Sequence, residues 1–172
     1  MITEVYQTII LEDDTPQVED EFEKMTTLEQ GKIGLKLSSR LAIYVYEHRL
    51  GEVFDSQTTF RMIGMPPTRQ PDVAFVIQAR LPTNLRVTAD FAPDLAVEIV
   101  SPNDALFEIE AKVLQYQQSD VKLIWVVRPF SQLVDVYRLE TGLNPTTLNI
   151  TNELDGEDGI PGFNLLITNI FN

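Results

Sequence analysis

Pro93-Asp94-Leu95-Ala96-Val97-Glu98-Ile99-Val100-Ser101-Pro102-Asn103-Asp104, running on through Ala105-Leu-Phe-Glu-Ile-Glu-Ala-Lys112, decides how this chain is read. Its first half alternates. Leu95, Val97 and Ile99 take one face while Asp94, Ala96, Glu98 and Val100 take the other, the two-residue period of a strand. An ionised carboxylate in the middle of the second face is costly to bury unpaired. Glu98 therefore needs a cationic partner, or a wet cleft in which a cation sits. Ser101-Pro102-Asn103-Asp104 stops the strand and offers N-cap residues to a following helix. In that helix, expected over 104–118, Ala105, Ile109, Lys112 and Tyr116 share a face beside Leu106 and Val113. Lys112 thus falls on or beside the stripe that packs against the sheet. A strand carboxylate and a lysine on the covering helix mark a candidate metal-and-phosphate site.

Composition narrows the chemistry. The 172 residues fit one domain with a sizeable core, and 44% hydrophobic content fits an ordinary globule. No run of 18 apolar residues occurs, and no basic-then-apolar start, so neither a membrane span nor a secretory signal is expected. The chain has no cysteine, which excludes disulfides and thiolate zinc sites and fits a reducing cytoplasm. His48 is the single histidine, so histidine-based metal sites and Ser-His-Asp triads are disfavoured, and its place one turn after Tyr44 suits edge packing. Catalysis must then run on carboxylates and lysine.

The net charge of -13 opposes nucleic-acid binding over most of the surface. Its distribution is uneven. Nine acidic residues and one lysine fall in the first thirty positions, and Glu153, Asp155, Glu157 and Asp158 form a second acidic run. Between them the basic residues are better represented. The expected organisation is an acidic N-terminal arm over 1–26, with a short strand from Val5 to Leu11, followed by a single domain over 27–172.

Within that domain, Leu28, Ile33, Leu37, Leu41, Tyr44, Val45 and His48 recur at helical spacing from Thr27 to about Arg49. Gly31 and Gly34 weaken the first turns, placing the regular start near Ile33, and Gly51 is positioned to end the helix. Glu52–Asp55 and Thr58–Ile63 read as two strands joined by a short turn. Arg69–Ile77 opens a further strand, with Val73, Phe75 and Ile77 facing one way and Asp72, Ala74 and Val76 opposite. Leu81–Asp90 is a polar connection. Val121–Val127 is a nearly continuous apolar strand, as expected when both faces are buried, and Leu133–Tyr137 returns as its hairpin partner. Leu143–Ile150 is a weaker strand, and Phe163–Ile167 an apolar segment that docks on the domain. The sum is an α+β (α/β-like) fold with a central mixed sheet.

Asp72 and Asp94 each follow a proline and open a strand, which by itself is turn chemistry. The ensemble says more: Asp72 on one strand, Glu98 within the next, Lys112 on the following helix. Phosphodiester hydrolysis needs a hard cation on oxygen ligands to polarise the phosphoryl oxygen and activate water. Two carboxylates on neighbouring strands supply such a pocket, and a lysine beside them orients water and offsets charge on phosphorus. A purely structural Glu98–Lys112 ion pair is the other reading of the same residues.

Several blocks then resemble, in order, the Uma-type restriction-endonuclease family of the PD-(D/E)XK nuclease superfamily. They are Gly31-Lys-Ile33, Leu50-Gly-Glu-Val-Phe54, Arg69-Gln-Pro-Asp-Val-Ala-Phe-Val76, Ala92–Asp104, Lys112-Val-Leu-Gln-Tyr116, Val121–Val127 and Ile160-Pro-Gly-Phe163. The likeness covers roughly residues 30–171. It implies a restriction-endonuclease-like core, a central mixed sheet flanked by helices. It also implies a divalent-metal site with its carboxylates at Asp72 and Glu98; the ion expected there is Mg2+ or Mn2+, with Asp94 expected as a secondary ligand or cap. The superfamily lysine, which usually stands two residues after the second carboxylate, is replaced there by Val100, and the resemblance places it at Lys112. Gln30 stands where the family often has histidine, and the usual N-terminal Tyr-Glu-Leu-x-x-Gly-Glu block is missing.

Two functions follow as expectations. One is a metal-dependent endodeoxyribonuclease acting on DNA through Asp72, Glu98 and Lys112, with a homodimer expected. The other is a catalytically inactive nuclease fold whose acidic surface serves as an interaction or DNA-mimicking module.

Overall fold

The computed structural model describes residues 26–172. The acidic arm and its strand from Val5 to Leu11 lie outside the described residues, Thr26 excepted. Helix α1 spans Leu28–His48. Thr27 caps it: its hydroxyl accepts from Gln30 N at 3.2 Å while the Gln30 side chain accepts from Thr27 N at 2.9 Å. This reciprocal box starts the helix at Leu28 rather than near Ile33, since a cap worth about 1 kcal/mol offsets the comparable penalty of one helical glycine. The helix ends on Arg49, which takes the left-handed conformation at φ 55°. Gly51, expected to end the helix, instead opens the first strand at φ 155°, where a Cβ would lie 2.0 Å from the Val76 carbonyl.

Strand β1 (Gly51–Asp55) does not pair with the segment that follows it. The strand expected over Thr58–Ile63 shrinks to β2 (Phe60–Arg61), which pairs with β3 (Thr68–Arg69) as a separate ribbon. The partner of β1 is β4 (Val73–Ile77), antiparallel. Burial explains the choice. β4 is apolar on both faces and can lie inside a sheet, whereas Thr58-Thr-Phe-Arg has little but Phe60 to bury.

The main sheet runs β1-β4-β5-β6-β7-β8, with β5 Leu95–Ile99, β6 Leu123–Arg128, β7 Leu133–Arg138 and β8 Thr146–Leu148. Only β5 and β6 are parallel, joined through helix α2 (Leu106–Gln118); every other neighbour is antiparallel. This is the expected mixed α+β sheet. The N-cap role expected of Ser101–Asp104 is not taken up. Asp104 accepts from Ser101 N at 2.7 Å and Ser101 Oγ from Asn103 N at 3.3 Å, so the segment closes its own turn and α2 begins two residues later.

Alternation sorts the strands onto two cores. Val73, Phe75, Leu95, Val97, Ile99 and Trp125 face α1, whose Ile33, Leu37, Leu41 and Val45 are buried against them. Ala74, Val76, Ala96, Ile124 and Val126 face α2 through Ile109, Val113 and Tyr116. The second acidic run is structured: Glu153–Asp155 is β9, paired with β10 (Asn164–Leu166), and Leu154 between its acids is fully buried. From there Ile160, Phe163, Leu165, Ile167 and Ile170, the last in the short α3 (Thr168–Phe171), dock on the α1-side core.

Candidate active site

The register of β4 on β5 builds the site. The last pair is Val73↔Val97, so Asp72, one residue before β4, stands across from Glu98. Residues directly opposite on antiparallel strands project to the same face. That face is the one α2 covers. Asp72 Oδ2 accepts the Ile99 amide at 2.6 Å, which fixes its carboxylate beside the strand that carries Glu98.

Helix α2 contributes two more side chains at i and i+4. Lys112 Nζ donates to Glu98 Oε2 at 2.6 Å, and Tyr116 Oη donates to Glu98 Oε1 at 2.5 Å. Glu98 is 3% exposed, so its charge is sustained by these two donors rather than by water. The structure therefore brings Asp72, Glu98 and Lys112 together at one sheet end. It adds Tyr116, whose position one turn after Lys112 was the available signal.

Asp94 is not with them. It precedes β5 at the other end of the strand, four residues from Glu98 and about 13 Å away at roughly 3.3 Å per residue. Its Oδ2 accepts Ile77 N at 2.9 Å. Arg80 NH1 lies 2.9 Å and Lys122 Nζ 3.6 Å from Oδ1, contacts of charge without hydrogen-bond direction. Of its two expected roles, this position fits the cap and not the ligand.

The electrostatics of the pair are unequal. Burial, and next the neighbouring Glu98 carboxylate, push the Asp72 pKa up to about 6, against the Ile99 hydrogen bond and Lys112, which pull it down. Burial works to lower the Lys112 pKa, but Glu98, with help from Asp72 and Asp104, outweighs it and raises the value above the ordinary lysine range. Lys112 therefore stays an ammonium at neutral pH. Burial and Glu98 together raise the Tyr116 pKa well above that of a free phenol, so it remains a donor.

A pocket of about 400 Å³ opens over Glu98 and Lys112, lined also by Thr59, Thr68, Arg69 and Gln70. Among the described residues no group of three or more metal-ligating side chains occurs. Two carboxylates nonetheless suit a magnesium-like ion, which keeps most of its waters and takes one or two protein oxygens plus substrate phosphate. The donor set fits a hard divalent cation. Among the described residues, no helix is long and apolar enough to cross a membrane.

The crystal structure of "a putative nuclease belonging to DUF820 from Anabaena variabilis ATCC 29413" is similar, with a TM-score of 0.75 over 86% of this chain and 82% of that one. The two are 19% identical, so the likeness speaks to the fold alone. No curated protein matches the chain. The model of the Uma2 family, described as "Putative restriction endonuclease", matches residues 13–168. With that match spanning most of its length, the chain belongs to the Uma2 family.

Proposed function

We propose that this chain is a metal-dependent endodeoxyribonuclease, hydrolysing phosphodiester bonds of DNA at the β4–β5 end of the sheet. The observation that carries the reading is that Asp72 stands across from Glu98 on the neighbouring strand, while Glu98 and Lys112 meet at an open pocket. Asp72 and Glu98 would hold Mg2+ or Mn2+. The ion, when bound, supplies Lewis-acid polarisation of the phosphoryl oxygen and a more acidic water.

The chain's own residues do the rest. Asp72, fixed by the Ile99 amide, stands across from Glu98 on the face that α2 covers. Glu98 is oriented by Tyr116 on one oxygen and Lys112 on the other, and each oxygen keeps a second lone pair for a ligand. Lys112, held protonated by Glu98, is no general base. Its ammonium, 30% exposed at the pocket, offsets the charge that grows on the phosphoryl oxygens and orients the attacking water. Two copies of the chain would place one site against each DNA strand, and sedimentation tests that homodimer.

One observation favours a second reading. Both Glu98 oxygens already carry hydrogen bonds, so Glu98, Lys112 and Tyr116 satisfy one another without a metal, as in a catalytically silent nuclease fold that works through its acidic surface. The test is nicking of supercoiled DNA with Mn2+, alongside thermal unfolding with and without the ion. The enzyme reading expects nicking and a raised Tm in wild type, both lost in Asp72→Asn and Glu98→Gln. A wild type that neither cuts nor gains Tm with either metal hands the case to the silent fold.

A further inference from the structure

The wall of the pocket facing the acids belongs to the β2–β3 ribbon, and its one charged side chain there is Arg69. Helix α2 grips this ribbon. Gln115, 5% exposed and buried at the junction, donates Nε2 to the Ile63 carbonyl at 3.1 Å and the Pro66 carbonyl at 2.6 Å. Its Oε1 accepts from Arg69 Nε at 2.6 Å. One turn on, Ser119 Oγ accepts the Ile63 amide at 2.9 Å. Every donor and acceptor of the Gln115 amide end that points at the ribbon is engaged, so the guanidinium is held by its Nε while its terminal nitrogens are left for another partner.

That partner is not a carboxylate of this fold: among the described residues Arg69 enters no ion pair. In a chain with 26 acidic residues and 13 basic ones, a half-buried arginine that pairs with none of the acids among the described residues is conspicuous. It shares its pocket with the Lys112 ammonium, the Thr59 and Thr68 hydroxyls and the Gln70 amide, a lining of donors around the single acid Glu98. Planar, always-charged guanidinium forks match phosphate oxygens in pairs, which an ammonium cannot do.

We propose that Arg69, braced by Gln115, is the phosphate-binding residue of this site, taking the non-bridging oxygens of a nucleic-acid phosphodiester across the pocket from Glu98 and Lys112. The assignment rests on the phosphodiesterase reading for its substrate class. Gln115 is a positioning residue that acts only through Arg69. Because phosphates carry no sequence, the contact serves any DNA sequence equally.

The experiment separates binding from cutting. Binding of the full chain to two short DNA duplexes of unrelated sequence is measured in EDTA across a series of salt concentrations, and nicking of supercoiled DNA is measured in Mn2+. Arg69→Gln is expected to weaken both duplexes about tenfold and by the same factor, with the salt slope reduced by about one. Arg69→Lys, which keeps the charge and loses the fork, should recover part of the affinity and keep the slope. Gln115→Met should lower affinity with the slope unchanged, since no charge is removed. Thermal unfolding confirms that each variant is folded, and Arg69→Lys decides the question if Arg69→Gln is not. If folded Arg69→Gln binds with the affinity and slope of wild type, Arg69 is a structural brace and the proposal is overturned; failure of the wild-type chain to bind either duplex overturns it as well. DNA bound through Arg69 by a chain that never nicks overturns the catalytic reading and leaves this one standing. Nicking with an unaltered KM in Arg69→Gln does the reverse.

Discussion

Lys112 and Glu98 are 14 residues apart along the chain and 2.6 Å apart in space, ammonium to carboxylate. The carboxylate is 5% exposed and the lysine 30%, so the lysine bridges a buried strand and an open pocket. Removing the cation from a buried pair leaves an uncompensated charge, which is more damaging than removing both. Lys112→Met should therefore destabilise the fold by about 2 kcal/mol at pH 7, the partial exposure of the lysine and the Tyr116 bond keeping the effect below that of a fully buried pair. The double variant Glu98→Gln/Lys112→Met should cost less than the sum of the two single changes. Urea unfolding of all four proteins measures the coupling, and strict additivity would show that the pair does not interact.

Asp94 gives a contrast from the same strand. It is 2% exposed, accepts the Ile77 amide and stands beside Arg80 and Lys122. Asp94→Ala should destabilise by about 3 kcal/mol, because the amide loses its acceptor and two cations lose their counter-charge. The folded protein should keep its full Mn2+-induced rise in Tm, since Asp94 sits at the far end of β5. Loss of the metal response in a folded Asp94 variant would mean that the ion binds elsewhere than between Asp72 and Glu98.

What could be read from sequence followed the reach of each signal. Period-two alternation placed Asp72 and Glu98 on the face opposite Phe75 and Val97, and helical spacing put Lys112 on the stripe above them; both are local and held. Pairing is non-local. Nothing in Thr58–Ile63 says that β1 will choose β4, twenty residues on, over its neighbour. The Gln115–Arg69 brace is equally silent, because a buried glutamine on a helix is read only through what it touches 46 residues away. Gly51 suggested a helix stop by residue type alone, while the actual stop fell on Arg49, a residue that rarely adopts positive φ.

Gly51 carries the first strand instead. At φ 155° it lies so close to β4 that a Cβ would approach the Val76 carbonyl to 2.0 Å and the Gln78 amide nitrogen to 2.9 Å, both backbone atoms that cannot swing aside. Gly51→Ala should cost more than the roughly 1 kcal/mol that backbone entropy alone would return, with an expected net loss of about 3 kcal/mol and a visibly weakened β1 edge. Gly31→Ala is the control. No atom lies within 4 Å of its Cβ position, so alanine there should stabilise α1 by up to about 1 kcal/mol. A Gly51→Ala protein as stable as wild type by urea unfolding would refute the close approach.

Asp72 makes the site sensitive to pH. Its carboxyl is pushed up to about 6 in the fold from the 3.8 of a free aspartate, with burial the first cause and Glu98 the second. A raised folded value means that the native state holds the proton more tightly than the unfolded chain, so stability is lost as pH rises from about 4 to about 6 and is level beyond. Two units correspond to roughly 3 kcal/mol, an upper figure for a residue that is only partly buried. The other carboxylates also titrate here, so the useful quantity is wild type minus Asp72→Asn. That difference should fall through this window, because asparagine keeps an acceptor for the Ile99 amide but has no charge to set against Glu98. Mn2+ at pH 7 should reverse the fall in wild type alone, since proton and cation compete for one carboxylate pair. A difference that stays flat across the window would mean that Asp72 and Glu98 do not share a field, and the proposed metal position would go with it.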